Sequence, residues 1–292
     1  ALYRGGIHAP GERSMGDIDL LVRPADLPAT KRVLTDLGYV EAFENRRHAT
    51  FEPRGAGPLV DYGEHVGNAV KVEVHTRIAE ALPVDDVEIT AALWPDRAAP
   101  GLAEYPSRIA LMLHLLLHIA GNVRARALRQ VQLVDVARLA PRFASADWDA
   151  LLALPARPWW LYPGLALSER YHPGAVPGRV LDATRDACPP LLARATARHR
   201  LVDVSWARFR IQAFPGIEWS RSVGEALRFA RSRVVPRGEA LAELERLAAT
   251  QAWAREIPWY GQSHAVRIAR WLVSRPARVQ TLYSVRAAIA EP

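Results

Sequence analysis

The 292-residue chain offers one cluster of acidic residues whose spacing could do chemistry. In Met15-Gly16-Asp17-Ile18-Asp19-Leu20-Leu21-Val22, two aspartates flank a single apolar residue. Residues i and i+2 of a strand project to one face, so Asp17 and Asp19 are expected to hold two carboxylates a few ångströms apart while Ile18 and Leu20 enter the core. Adjacent anions repel unless a cation lies between them, and Mg2+ is suited to oxygen-only ligands. Phosphoryl or nucleotidyl transfer through two ions needs a third carboxylate from a neighbouring strand. Glu73 meets that requirement, because Val70, Val72 and Val74 alternate with Lys71, Glu73 and His75 and so fix its direction. Two ions about 3.5–4 Å apart, one at the attacking oxygen and one at the leaving group, would then act without a covalent nucleophile. Asp61 is the reserve third ligand, since it too lies in a strand-like segment.

Around this trio lie side chains with two readings each. His75 shares the face of Glu73 and either touches phosphate, orients the carboxylate, or is a packed, hydrogen-bonded histidine. Lys71 either pairs with Glu73 or meets phosphate. Arg13 and Ser14 lead directly into the aspartate strand, as phosphate contacts or as solvated loop. His114 and His118 have the i, i+4 spacing of a zinc pair, but the Leu-Leu-Leu between them lacks the glutamate of a metalloprotease helix, so core histidines are expected, with Asp135 as a partner for His118. Of nine tryptophans, most stand among arginines; they are expected as core anchors with cationic edges rather than base-stacking platforms. Arg255 to Gly261 interrupts the helical pattern and is a candidate lining for an acceptor pocket.

The elements that must position these groups follow from periodicity. Ile18 to Val22 reads as a strand ended by Pro24, followed by a helix from Ala25 to Leu37 with Leu27, Val33, Leu34 and Leu37 on one side and Gly38 as its stop. Ala49 to Glu52 and Leu59 to Tyr62 read as strands flanking the turn-forming run Pro53 to Pro58, and Ala69 to Thr76 as a further strand. After a Pro/Gly-containing linker near residue 100, Ser107 can cap a helix from Ile109 to Gly121, and another covers Ala127 to Leu139. Prolines break up the section from 155 to 190; helical patterns return over 194–214, 223–232, 239–255 and 263–273.

Half of the residues are apolar and 24% are charged, ample for a packed core and contrary to disorder or a coiled coil. The net charge of +7 is almost all arginine, Lys31 and Lys71 being the sole lysines, which reads as compositional bias; a nucleic-acid partner is possible but not favoured. Cys188 alone excludes an intramolecular disulfide and a cysteine zinc cluster. The longest apolar run, Ile109 to Gly121, is too short to span a bilayer, and nothing marks the start for export, so a cytoplasmic protein without a membrane partner is expected.

Gly-Asp-Ile-Asp-Leu-Leu-Val after Arg13 and Ser14, a helix closing in Leu37-Gly38-Tyr39, His48 before a strand, and Val72-Glu73-Val74-His75 together resemble a bacterial family of uncharacterised nucleotidyltransferases in the DNA-polymerase-β-like superfamily. The likeness continues through Leu115 to Ala120 and Leu133 to Leu139, covering residues 1 to 180. It implies a mixed-sheet nucleotidyltransferase core; with the change near residue 100 from β-like alternation to helical spacing, an α+β fold is expected, with that core and its flanking helices over residues 1–100 and a helical domain over 101–292 that shapes the acceptor site. It further implies Mg2+, or Mn2+, on Asp17, Asp19 and Glu73, and a nucleoside triphosphate, ATP foremost, as donor. The acceptor, whether peptide, small molecule or RNA, is not named by the resemblance. The superfamily places a glycine turn against the triphosphate ahead of the aspartates. Here either Gly5-Gly6 fills that place or, as is slightly favoured, part of the nucleotide site precedes Ala1. Two other functions remain open: a catalytically silent nucleotide- or peptide-binding module, and a toxin-like transferase acting on tRNA.

Overall fold

The computed structural model describes residues 6–13, 16–44, 48–57, 67–95, 104–154, 158–205, 214, 216–236, 238 and 263–273. It is a mixed α+β structure in two compact units. One is drawn from the residues up to Glu80 with Val87–His114, the other from Ala81–Asp86 with the residues from Leu115 onward.

The first unit is built on a four-stranded sheet ordered β1-β4-β3-β2, where β1 is Asp17–Leu21, β2 Tyr39–Glu44, β3 His48–Pro53 and β4 Lys71–His75. β1 runs parallel to β4, while β3 is antiparallel to both β4 and β2, which makes the sheet mixed. A parallel pair requires a crossover, and the intervening helix α1, Leu27–Asp36, supplies part of it. α1 stops where expected: Gly38 takes a positive φ of 87° and its N–H donates to the Thr35 carbonyl at 3.0 Å.

One face of the sheet is apolar. Val72, Val74, Ala49 and Phe51 are buried against Leu34 of α1, and Leu20, Val22, Leu27 and Tyr39 pack on the same cluster. The alternation in β4 is as the sequence reading expects, with buried valines between half-buried Lys71, Glu73 and His75.

Three expectations are corrected. Ile18 is 45% exposed, β1 being the edge strand of the sheet among the described residues. Val33 and Leu37 are exposed as well: the inward face of α1 follows Leu27 and Leu34, seven residues apart and therefore nearly superposed along the helix, and the other two fall away from it. The hairpin partner of β3 is β2, a strand absent from the sequence reading, where Glu41 and Glu44 had masked the apolar signal; both carboxylates bind Lys31 at 3.0 Å. The strand expected at Leu59 to Tyr62 lies outside the described residues, as does the helix over 239–255.

A two-stranded sheet of β5, Ala79–Ala81, and β6, Asp86–Glu88, precedes the short helix α2, Thr90–Leu93. α3, Arg108–Ala125, begins as Ser107 predicts, its hydroxyl accepting from the Ala110 N–H at 3.1 Å. The helices α4, Gln130–Leu139; α5, Ser145–Leu152; α6, Leu161–Tyr171; α7, Gly178–Ala187; α8, Pro190–Arg198; α9, Leu201–Ser205; α10, Val223–Val234; and α11, His264–Val273, follow.

In the second unit, α6 packs on α4, α7 and α8 around Leu133, Val136, Leu161, Leu165 and Leu192, all buried. Gly164 allows α6 its close approach to α3: a Cβ there would meet Leu116 Cδ2 at 2.9 Å. Arg170 closes the end of α8, donating to the Ala197 carbonyl at 3.0 Å and to that of His199. No helix among the described residues is long and apolar enough to cross a membrane.

Candidate functional site

The parallel register of β1 and β4 decides which ionisable groups meet. Asp17 stands beside Lys71, Asp19 beside Glu73 and Leu21 beside His75. In-register neighbours of a sheet project to the same side, and adjacent strands lie about 4.8 Å apart, so Asp17, Asp19, Glu73 and His75 share the polar face. Val72, Val74 and Leu20 point the other way into the core and hold that orientation against a one-residue slip. The sequence expectation of two carboxylates from one strand and one from its neighbour therefore has its backbone.

His75 is the hub. Its Nε2 lies 3.0 Å from Asp19 Oδ1 and 3.6 Å from Glu73 Oε2. Burial lowers the imidazole pKa, but hydrogen bonding and attraction to Asp19 and Glu73 outweigh that and raise it to about 9. At neutral pH an imidazolium thus stands between two carboxylates and offsets part of their repulsion. Across the sheet, His48 is the antiparallel register partner of His75, its Nε2 is also 3.6 Å from Glu73 Oε2, and the two rings are 5.0 Å apart. These contacts fit both an orienting role for His75 and the packed, hydrogen-bonded histidine that is its alternative.

Lys71 is pulled elsewhere. Its Nζ is 2.5 Å from Glu52 Oε1, so its carboxylate partner is the facing residue of β3 rather than Glu73. Tyr105 was not singled out by the sequence reading, yet the charge of Asp19, after burial itself, contributes to holding its hydroxyl protonated well above the usual range, and its hydroxyl bonds to His114 Nδ1. Tyr105 carries no local signal of function, while His48 is part of the motif that carries the family resemblance; the fold brings His48 beside His75 and Glu73.

Gly6 and Arg13 belong to the described segment ahead of β1, Gly6 with a φ of 66°. Gly5, Ser14 and Asp61 lie outside the described residues, as does Arg255 to Gly261. His114 is half-buried against Tyr105, while His118 is exposed, which corrects its expected core position; Asp135 is buried. Among the described tryptophans, Trp148, Trp160 and Trp219 are buried as anchors, Trp219 meets Trp159 edge-on at 6.0 Å, and the Arg221 guanidinium lies over Trp159; Trp206, Trp253 and Trp259 lie outside the described residues.

Among the described residues the group of possible ligands whose donor atoms lie within 4.8 Å of one another is His48, Glu73 and His75. Asp17 and Asp19 share the face of Glu73 by register without belonging to that group, and Asp19 is 61% open at its side chain. Carboxylate oxygens are of the type that hard divalent ions take. A family model described as an uncharacterised nucleotidyltransferase matches residues 1–162. No curated protein and no solved structure matches the chain.

Proposed function

Since the chain belongs to the uncharacterised nucleotidyltransferase family, we propose that the polar face of β1 and β4 moves a nucleoside monophosphate from a nucleoside triphosphate, ATP foremost, to an oxygen acceptor. The acceptor oxygen attacks the α-phosphorus, the bond to the bridging oxygen of the β-phosphate breaks, and pyrophosphate leaves with that electron pair. Asp17, Asp19 and Glu73 are the proposed ligands of two Mg2+ ions, or Mn2+. When bound, such ions supply Lewis-acid charge at the phosphate oxygens and ease ionisation of the acceptor.

The remaining work falls to the chain's own groups. Asp17 and Asp19 leave the same face of one strand, so the backbone fixes the spacing of their Cα atoms while their rotamers bring the carboxylates to a shared ion. His75 orients the Asp19 carboxylate through its 3.0 Å contact. Glu73, or Asp61 in its place, is the proposed group that takes the acceptor's proton. Gly5, Gly6, Arg13 and Ser14, in the segment entering β1, are the proposed phosphate contacts, while Lys71, held by Glu52, sets the charge at the start of β4. The helical region that begins with α3 is proposed to shape the acceptor site, taking a peptide, small molecule or RNA.

The observation that carries this reading is the register that sets Asp19 beside Glu73 and Asp17 one pleat away on the same face. Incubation with α-labelled triphosphates, Mg2+ and cell extract tests it. Label is expected to pass to an acceptor with wild type and to fall at least ~100-fold with Asp17→Asn or Asp19→Asn, as for loss of a group acting on transition-state charge. Label transfer that persists in both variants, or that ignores chelation of divalent ions, would remove the carboxylates from the mechanism.

A further inference from the structure

We propose that His48, Glu73 and His75 form a second cation site, adjoining the proposed transfer ligands through Glu73, for a borderline divalent transition ion of the zinc class, at the end of the β3–β4 pair. Three independent features of the geometry converge on it. First, His48 and His75 are direct cross-strand partners, and Glu73 is two residues before His75, so antiparallel pairing alone puts all three side chains on one face. Second, both imidazoles present Nε2 to the same atom: His48 Nε2 and His75 Nε2 each lie 3.6 Å from Glu73 Oε2. One donor atom from each of the three lies within 4.8 Å of the others. An ion with bonds near 2.1 Å in a tetrahedral arrangement holds its ligand atoms about 3.4 Å apart, so two of the three spacings are already close to those of a filled site. Third, the three side chains are sheltered, at 19%, 25% and 15% exposure, unlike the open Asp19.

The ligand chemistry selects the ion. Imidazole nitrogen favours zinc-class ions, whereas Mg2+ takes oxygen and dehydrates reluctantly, so two histidines and one carboxylate discriminate against Mg2+ even when it is in excess. Asp19 Oδ1, 3.0 Å from His75 Nε2, is near enough to supply a fourth ligand, with water as the alternative. Glu73 turns Oε2 to the histidines; a carboxylate has a second oxygen, which can serve the Asp17 and Asp19 side. The site therefore shares Glu73 with the proposed transfer ligands, while its imidazole ligation does not require that transfer take place.

The test uses the full-length, tag-free chain stripped of metal, in millimolar Mg2+. Calorimetric titration with Zn2+ is expected to give one ion per chain, and Co2+ to develop visible absorption bands characteristic of nitrogen ligation. His48→Ala should weaken Zn2+ binding at least about tenfold and abolish the Co2+ bands, while His48→Cys, which keeps a ligand, restores Zn2+ affinity. Asp17→Asn should keep Zn2+ affinity within about threefold of wild type while losing transfer of α-label, which separates this site from the catalytic proposal. Absence of Zn2+ binding under these conditions overturns the inference. So does binding undiminished in His48→Ala with an unchanged far-ultraviolet circular dichroism spectrum, or an equal loss in Asp17→Asn, which would mean a single shared site. Zn2+ binding without any label transfer supports the inference and leaves nucleotidyl transfer as the reading that fails.

Discussion

Removing the carboxylate that His75 contacts should reset its titration. In metal-free wild type, His75 is expected to titrate near pH 9, because burial, which lowers its pKa, is outweighed by hydrogen bonds and attraction to Asp19 and Glu73. A rise from 6.5 to about 9 corresponds to roughly 3 kcal/mol at ~1.4 kcal/mol per pKa unit. Asp19 is 61% exposed, so solvent screening reduces the realised stabilisation to about 1–2 kcal/mol. The sign follows from linkage: the folded state binds the proton more tightly, so this stability is fully present below pH 6.5 and is lost as pH rises through about 9. Asp19→Asn keeps the side-chain shape but removes the charge. With Glu73 alone left, the His75 pKa should drop by more than one unit, and the decline of stability between pH 6.5 and 9 should flatten. Two-dimensional NMR of the imidazole resonances in chelator reads the first quantity, and urea unfolding at several pH values reads the second. A wild-type His75 titrating near 6.5, or an Asp19→Asn protein in which it still titrates near 9, would refute the electrostatic account of the site.

Three further outcomes are expected. Phe51 is buried at 1% exposure beneath the site strands, so Phe51→Ala should cost about 3–5 kcal/mol in urea unfolding and lower any cation affinity of the sheet face along with it. Arg126 and Glu218 form a buried pair at 2.6 Å, and Glu218→Ala, which removes the buried carboxylate from the Arg126 guanidinium, should destabilise the helical unit by about 3–5 kcal/mol, read from thermal and urea denaturation. His199 is held to a pKa of about 4 by burial and by the neighbouring Arg126 charge; its neutral form stabilises the fold above pH 6.5, and that contribution is lost as pH falls through about 4. His199→Gln should therefore lessen the acid sensitivity between pH 6.5 and 4, and unchanged pH curves for wild type and variant would contradict this.

Much of the local structure was legible because it rests on short-range rules. Asp17-Ile18-Asp19 on a strand, the valine alternation around Glu73, the Gly38 stop and the Ser107 cap all follow from backbone periodicity and orphaned helix-end groups, which act within a few residues. The match of the family to residues 1–162 agrees with the resemblance read from the same motifs. What differed depended on neighbours: Ile18 is open where β1 is the edge strand among the described residues, and Tyr39–Glu44 is a strand although its glutamates, bound to Lys31, break the apolar pattern.

The composition of the acidic face, two aspartates from one strand and a glutamate from another, is written in the order of the residues alone. Which residues stand beside each other is not, since strand register is a long-range property set by how the apolar face of each strand packs on Leu34, Phe51 and Val74. That packing set Asp19 next to Glu73, gave Lys71 to Glu52, and brought His48 opposite His75, a pair separated by more than twenty residues of chain whose imidazoles share one carboxylate oxygen.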